Sequence, residues 1–151
     1  MKSIKEFVAQ FGVPFPYPDA DVVEVSRNFF LTTDAQREQI KELKRDVFAI
    51  GLPLGFQRKE FMPSLVLLDE IAKSTTQTVT VNEKAEWLFI CGRDVFKEGV
   101  VSSSAVHGQL VIVLNSRKEC LGYGKMVNRN KILVESMLDR GDFLRRERNL
   151  R

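Results

Sequence analysis

From residue 78 to residue 128 the chain holds no β-forming run long enough to build anything but a small, tightly cornered sheet. TVTV at 78–81 alternates as a strand does, and DVFKEGVV, QLVIVLN and ECLGYGKMV follow it, bounded by Gly99, Gly108 and the polar SRKE. Short β runs at that spacing are the pattern of a small barrel. Gly92, Gly99, Gly108, Gly122 and Gly124 suit its corners, because a residue without a Cβ lets two backbones approach closely or a strand bend. One helix interrupts the strands: Asn82 is placed to cap it, and Ala85, Leu88, Phe89 and Ile90 recur on its buried side. A short helix over 135–140 and a strand over DFLRRER are expected to finish the chain.

The stretch before residue 78 is punctuated differently. Ser3 followed by Glu6 is a capping-box signature, and Phe7, Val8 and Phe11 give the ensuing helix an apolar stripe. Gly12, Pro14, Pro16 and Pro18 then forbid its continuation. VVEVSRNFFL over 22–31 is β-branched and aromatic around a polar break, which suits a hairpin or a bent strand. Thr33, Asp34 and Gln36 start a second helix with Ile40, Leu43 and Val47 on one face, and VFAIG is expected to be the strand after it. GLPLGFQRKEF, with two glycines and a proline, reads as a turn or exposed loop. MPSLVLLDEIA supplies a strand running into a helix. The order is α-β-β-α-β-β-α, and the polar KSTTQT that follows is the expected domain boundary. The fold class is therefore α+β: a small N-terminal α/β domain over 1–77 and a β-rich domain over 78–151.

At 151 residues and 17.3 kDa, either half can bury a core. Hydrophobic residues at 44% and charged residues at 28% match ordinary soluble usage, and no apolar run approaches the length of a membrane span. Glu6 and Gln10 break the apolar run a secretory signal needs. Cys91 and Cys120 suit a reducing cytoplasm, and with the single His107 they lack metal-ligand spacing. There is no G-x-S-x-G and no P-loop. His107 stands beside Gly108 in an expected turn, and Asp69 and Glu70 have no second carboxylate pair to hold a metal. The expectation is a cytoplasmic monomer, not bound to membrane, that catalyses nothing and takes no metal or cofactor.

The net charge of +3 is unevenly spread. Residues 1–78 hold ten Lys/Arg against eleven Asp/Glu, whereas residues 79–151 hold thirteen against nine. The excess lies after residue 124, where Lys125, Arg129, Lys131, Arg140, Arg145, Arg146, Arg148 and Arg151 oppose Glu135, Asp139, Asp142 and Glu147. Such a basic end is either a polyanion contact or a solvated, self-paired surface.

The ordered set Gly92, Val95, Gly99, Gly108, Leu121, Gly122 and Gly124 resembles the PUA domain, a pseudo-barrel that binds RNA. FAIGLPLGFQRKEFMPSLVLLDEIA is similar to the segment preceding that domain in the Nip-seven family of ribosome biogenesis factors, and DRGDFLRRE resembles that family's ending. The likeness covers roughly residues 28–148 and is poor over 1–27; the chain looks most like an archaeal member. It implies a non-catalytic protein whose PUA domain binds pre-ribosomal or uridine-rich RNA, while the N-terminal domain meets ribosome-assembly or RNA-processing proteins. In a eukaryote it would imply a nucleolar location.

The residues expected to meet RNA are Arg146, Arg148 and Arg151, with Arg145 carried over from the family-like LRRE and Lys125, Arg129 and Lys131 extending the surface beyond the GYG corner. Arginine suits this work because its planar fork contacts phosphate bidentately and stacks on unpaired bases. If DFLRRER is a strand, Arg146 and Arg148 share one face and Arg145 takes the other. Tyr123 is either a base-stacking ring or a core ring. Leu54, Phe56, Arg58 and Lys59 are a candidate partner contact, with Phe56 alternatively closing the N-terminal core. A pre-ribosomal adaptor with little RNA affinity of its own is the second reading.

Overall fold

The protein is described by a computed structural model covering residues 1–149, apart from the side chains of Phe143, Glu147, Arg148 and Asn149. The chain divides into two units, one of Met1–Ala9 with Val13–Ile71 and one of Gln10–Gly12 with the chain from Ala72 onward.

In the first unit the order is α1 (Lys2–Ala9), β1 (Val22–Val25), β2 (Asn28–Leu31), α2 (Asp34–Glu42), β3 (Leu52–Gln57), β4 (Phe61–Pro63) and α3 (Leu65–Ala72). The four strands form an antiparallel sheet in chain order. The β1–β2 turn uses Ser26 and Arg27 at φ 49° and 69°, the geometry whose twist matches the flanking strands. Ile4, Phe7 and Val8 of α1 are buried, as are Phe29, Leu54, Phe61, Leu67, Leu68 and Ile71. The Phe61 ring lies 5.2 Å from that of Phe7 and 5.8 Å from that of Phe29. Ser3 sits inside the first turn of α1, which begins at Lys2, so it is not the expected cap. Thr33 and Gln36 do form their capping box at the start of α2.

Two further expectations fail in this unit. The second helix stops at Glu42 and VFAIG is not a strand, whereas GLPLGFQRKEF, expected as a loop, supplies β3. Leu31 pairs with Leu52 across the sheet, so the chain that leaves at Thr32 must return beside it by Gly51. No residue of α2 is buried and Leu43 is 53% exposed, so the apolar spacing of Ile40, Leu43 and Val47 gains no packing that would carry the helix past Glu42.

The second unit contains β5 (Thr78–Val81), α4 (Glu83–Ile90), β6 (Val95–Phe96), β7 (Val100–Ser103), β8 (Leu110–Leu114), β9 (Cys120–Arg129), β10 (Ile132–Asp139) and α5 (Asp142–Asn149). The sheet order is β6-β10-β9-β8-β5-β7, antiparallel except between β5 and β8. Val79 and Val81 of β5 share one buried cluster with Val95 of β6, although these strands stand far apart in that order. The sheet must curl to bring them together, and it curls around Ala85 and Phe89 of α4. Asn82 caps that helix as expected, its Oδ1 accepting from Ala85 N at 2.9 Å.

The curl is made where β9 has no side chains. A Cβ on Gly122, at φ 148°, would stand 2.0 Å from the Leu138 carbonyl oxygen, and one on Gly124 would stand 2.4 Å from that of Glu135. Their row partners Val113 and Val111 point into the core. On the other face Ile112 pairs with Tyr123, whose ring lies 6.0 Å from that of Phe11, so β8 is buried on both sides.

The ending differs from expectation. In place of a helix over 135–140 the chain forms β10 and the turn after it, because Asn128 and Asn130 adopt φ 43° and 55° and fold β9 back on itself. DFLRRER, expected as a strand, is α5. Its Leu, Arg and Glu residues are strong helix formers, and Asp142 favours a helix N-terminus while pairing with Arg146 one turn on at 2.7 Å.

Gly122→Ala is expected to lower the unfolding free energy in urea by at least about 2 kcal/mol, since it adds a backbone collision to a disfavoured φ. Gly108→Ala, at φ 85° in a turn with open space around it, should cost only about 1 kcal/mol.

Candidate nucleic-acid interface

The pairing of β6 with β10 builds a row that the sequence does not reveal. Phe96, Ile132 and Arg129 stand side by side across β6, β10 and β9. Phe96 and Arg129 are exposed. The backbone N–H of Lys97 donates to the Lys131 carbonyl at 2.8 Å, which sets two more exposed cations at this end of the sheet. Arg129 reaches Glu135 at 3.4 Å, an exposed pair that costs little to exchange for another anion. Lys125 lies opposite Glu135 on the outer face of β9, exposed and without an ionic partner among the described residues.

Beside this row, α4 and β6 enclose a recess of about 220 Å³ lined by Lys84, Ala85, Leu88, Asp94, Phe96 and Glu98, with Asn82 and Gly99. Gly99 brings the turn at 97–99 against the helix: a Cβ there would meet that of Ala85 at 2.4 Å. Asp94 Oδ1 accepts from Ser136 N at 2.8 Å, tying the recess to β10. Sequence reading missed Lys84, Phe96, Lys97 and Glu98, because a two-residue strand has no period to read and its neighbours are set by non-local pairing.

The C-terminal arginines are placed otherwise than expected. Arg145 is not a free cation. Its Nη2 donates to Asp139 Oδ2 at 2.7 Å, and its Nη1 donates to Asp139 Oδ1 at 3.1 Å and to the Ile90 carbonyl at 2.6 Å. Ile90 ends α4, so the guanidinium also meets the negative end of that helix. The hydrogen bond to Asp139 is the main reason the Arg145 pKa is raised, with burial opposing it. Arg146 pairs with Asp142, and Arg140 Nε donates to the Cys120 carbonyl. The expected strand faces do not exist: 145, 146 and 148 lie on a helix. The Arg148 side chain and Arg151 lie outside the described residues.

Tyr123 is buried against Phe11, the core alternative. In the first unit Leu54 is wholly enclosed and is corrected from a contact residue to a core residue. Phe56 is half-buried with the Arg58 guanidinium 5.2 Å from its ring centre, and Lys59 is exposed in the following turn. His107 is exposed in its turn.

Arg145→Ala would leave the Asp139 carboxylate, 4% exposed, without its cation and uncover the end of α4. The expected loss in urea unfolding is about 2–3 kcal/mol, below the ~3–5 kcal/mol of a fully enclosed pair, because 38% of the Arg145 side chain meets solvent and is screened.

Residues 77–148 match the UPF0113 PUA domain. A UPF0113 protein of Archaeoglobus fulgidus is 30% identical over 108 residues, covering 65% of this chain and 62% of that protein. One of Aeropyrum pernix is 31% identical over 104 residues, covering 66% and 58%. The chain thus spans about three fifths of the length of these relatives. In fold it is similar to a conserved PUA domain protein of Thermoplasma acidophilum, with a TM-score of 0.61 at 20% identity over 97% of this chain and 92% of that one. It is also similar to a PUA domain of Aeropyrum pernix K1 solved as a tartrate complex, with a TM-score of 0.60 at 15% identity over 95% and 85%. The matched residues 77–148 thus fold as a PUA-type domain, a curled six-stranded sheet wrapped on one helix with glycine-made corners, preceded by an α/β domain.

Proposed function

We propose that the protein is a non-catalytic RNA-binding factor of ribosome assembly, in the manner of the Nip-seven family, and that the β6–β10–β9 end of its PUA domain carries the contact. RNA binding is what this domain class generally does. The observation that carries the reading is the row of Phe96, Ile132 and Arg129 with Lys97 and Lys131 beside it. An exposed aromatic ring among cations offers an unpaired base a stacking face and its phosphate a counter-charge. Lys125 extends the cationic surface along β9. The RNA is single-stranded, pre-ribosomal or uridine-rich, and large-subunit assembly is the setting that the family likeness supports.

Arg146, Arg148 and Arg151 are secondary contacts in this reading, and Arg145 is a positioning residue for α5. The turn bearing Arg58 and Lys59, with Phe56 beneath, is the proposed contact for an assembly protein. The adaptor reading would rest on that turn alone.

Titration of a labelled uridine-rich RNA at several salt concentrations tests the site. Replacing Arg129 and Lys131 with alanine is expected to weaken binding and to flatten the salt dependence, by about 0.7 in log K against log salt for every phosphate the protein then leaves unneutralised. Phe96→Ala should cost roughly 1–3 kcal/mol with little change in that slope. An unchanged affinity in all three variants would remove this surface as the site.

A further inference from the structure

We infer that the recess between α4 and β6 selects a guanine base, an assignment that rests on the RNA-binding reading above. Its volume of about 220 Å³ falls below the ~300–1,000 Å³ typical of drug-sized ligands, which suits one flat ring system. Ala85, Leu88 and Phe96 give it apolar walls. Its polar groups are not all committed. Asn82 Oδ1 caps the helix and Asp94 Oδ1 holds Ser136, but Lys84 and Glu98 have no ionic or hydrogen-bonding partner among the described residues.

An ammonium and a carboxylate in one small recess discriminate between bases. Lysine only donates and a carboxylate only accepts, the latter taking two parallel N–H groups well. The pairing edge of guanine presents a carbonyl next to two neighbouring N–H donors. That edge matches Lys84 and Glu98 together. Uracil offers one N–H between two carbonyls, so a carboxylate facing it meets at least one oxygen. Adenine and cytosine set an amine beside a bare ring nitrogen, which leaves one carboxylate oxygen opposed. Trp87, one turn along α4 from Lys84 and 66% exposed, offers the next base a stacking surface. As the only tryptophan it also reports occupancy by its fluorescence.

The test uses the full chain and labelled eight-nucleotide RNAs, either all uridine or uridine with one central guanine, adenine or cytosine, read by anisotropy and by Trp87 quenching. The guanine strand is expected to bind roughly tenfold tighter than the all-uridine strand, with the adenine and cytosine strands close to all-uridine. Glu98→Ala, at an exposed turn, should bring the ratio towards one while tightening all-uridine binding, because a carboxylate that repels phosphate is gone. Lys131→Ala should weaken every strand and keep the ratio. Equal affinity for the four strands, or a guanine preference that survives Glu98→Ala, overturns the base assignment and leaves RNA binding standing. No binding by any strand overturns the RNA reading, and the assignment with it.

Discussion

Carbonyl oxygens of β10 occupy space where side chains of β9 would ordinarily stand. Gly122 and Gly124 permit this, and most of the second unit follows from it. With β10 drawn tightly over β9, its far edge is free to pair with the two residues of β6, and that pairing sets Phe96 beside Ile132 and Arg129. Gly99 repeats the device one step further on, letting the turn after β6 press against Ala85 of α4 and form the recess. The candidate surface is thus a product of three missing side chains. It needs no residue that a search for catalytic or metal motifs would recognise.

A second constraint decides which cations remain available. Asp139 is the end residue of β10 and faces inward, and a carboxylate so placed is tolerated only if it is paired and hydrogen-bonded. Arg145 supplies two of its contacts and Gly141 N a third, at 2.8 Å. The same guanidinium covers the last carbonyl of α4, so one side chain joins the closing helix, the final strand and the helix inside the curl. Gly141 must be glycine for this to fit: a Cβ there would stand 1.8 Å from the Ile90 oxygen. Aspartate, glycine and arginine at 139, 141 and 145 act as one unit, which explains why Arg145, although it lies in the strongest charge cluster of the sequence, is not a free cation.

Legibility follows the range of the interactions involved. The Thr33 and Asn82 caps, the hairpin alternative at 22–31 and the strands within TVTV, QLVIVLN and ECLGYGKMV are local signals that lie where the residues indicate, whereas DVFKEGVV divides into β6 and β7 and β10 stands where a helix is expected. The N-terminal order α-β-β-α-β-β-α is also readable, although its third strand lies several residues later than VFAIG. What misleads there is real periodicity: Ile40, Leu43 and Val47 do recur as on a helix, but that stripe finds no core to be buried against. At the other end, Asn128 and Asn130 are the hairpin signal; without it β10 is cut short, and DFLRRER takes on a strand period despite its helix formers. The site is less legible than the fold. Lys125, Arg129 and Lys131 can be named from charge, whereas Phe96, Lys84 and Glu98 belong together only through contacts made across the sheet.

These placements change what the net charge means. Of the cations after residue 124, Arg145 and Arg146 are tied to Asp139 and Asp142, Arg129 is shared with Glu135, and Arg140 is anchored to a backbone carbonyl. Among the described residues Lys125, Lys131, Lys97 and the exchangeable Arg129 remain to meet a phosphate backbone, and Arg129, Lys97 and Lys131 stand around an aromatic ring. Counterion release from so few contacts supports only modest affinity. Binding strong enough to be specific must then draw on the faces and edges of bases, and those are accessible in unstacked single strands, loops and ends but hidden in an A-form duplex. The scarcity of free charge is therefore an argument for what kind of RNA this surface fits: one that presents its bases, not one that presents only its backbone.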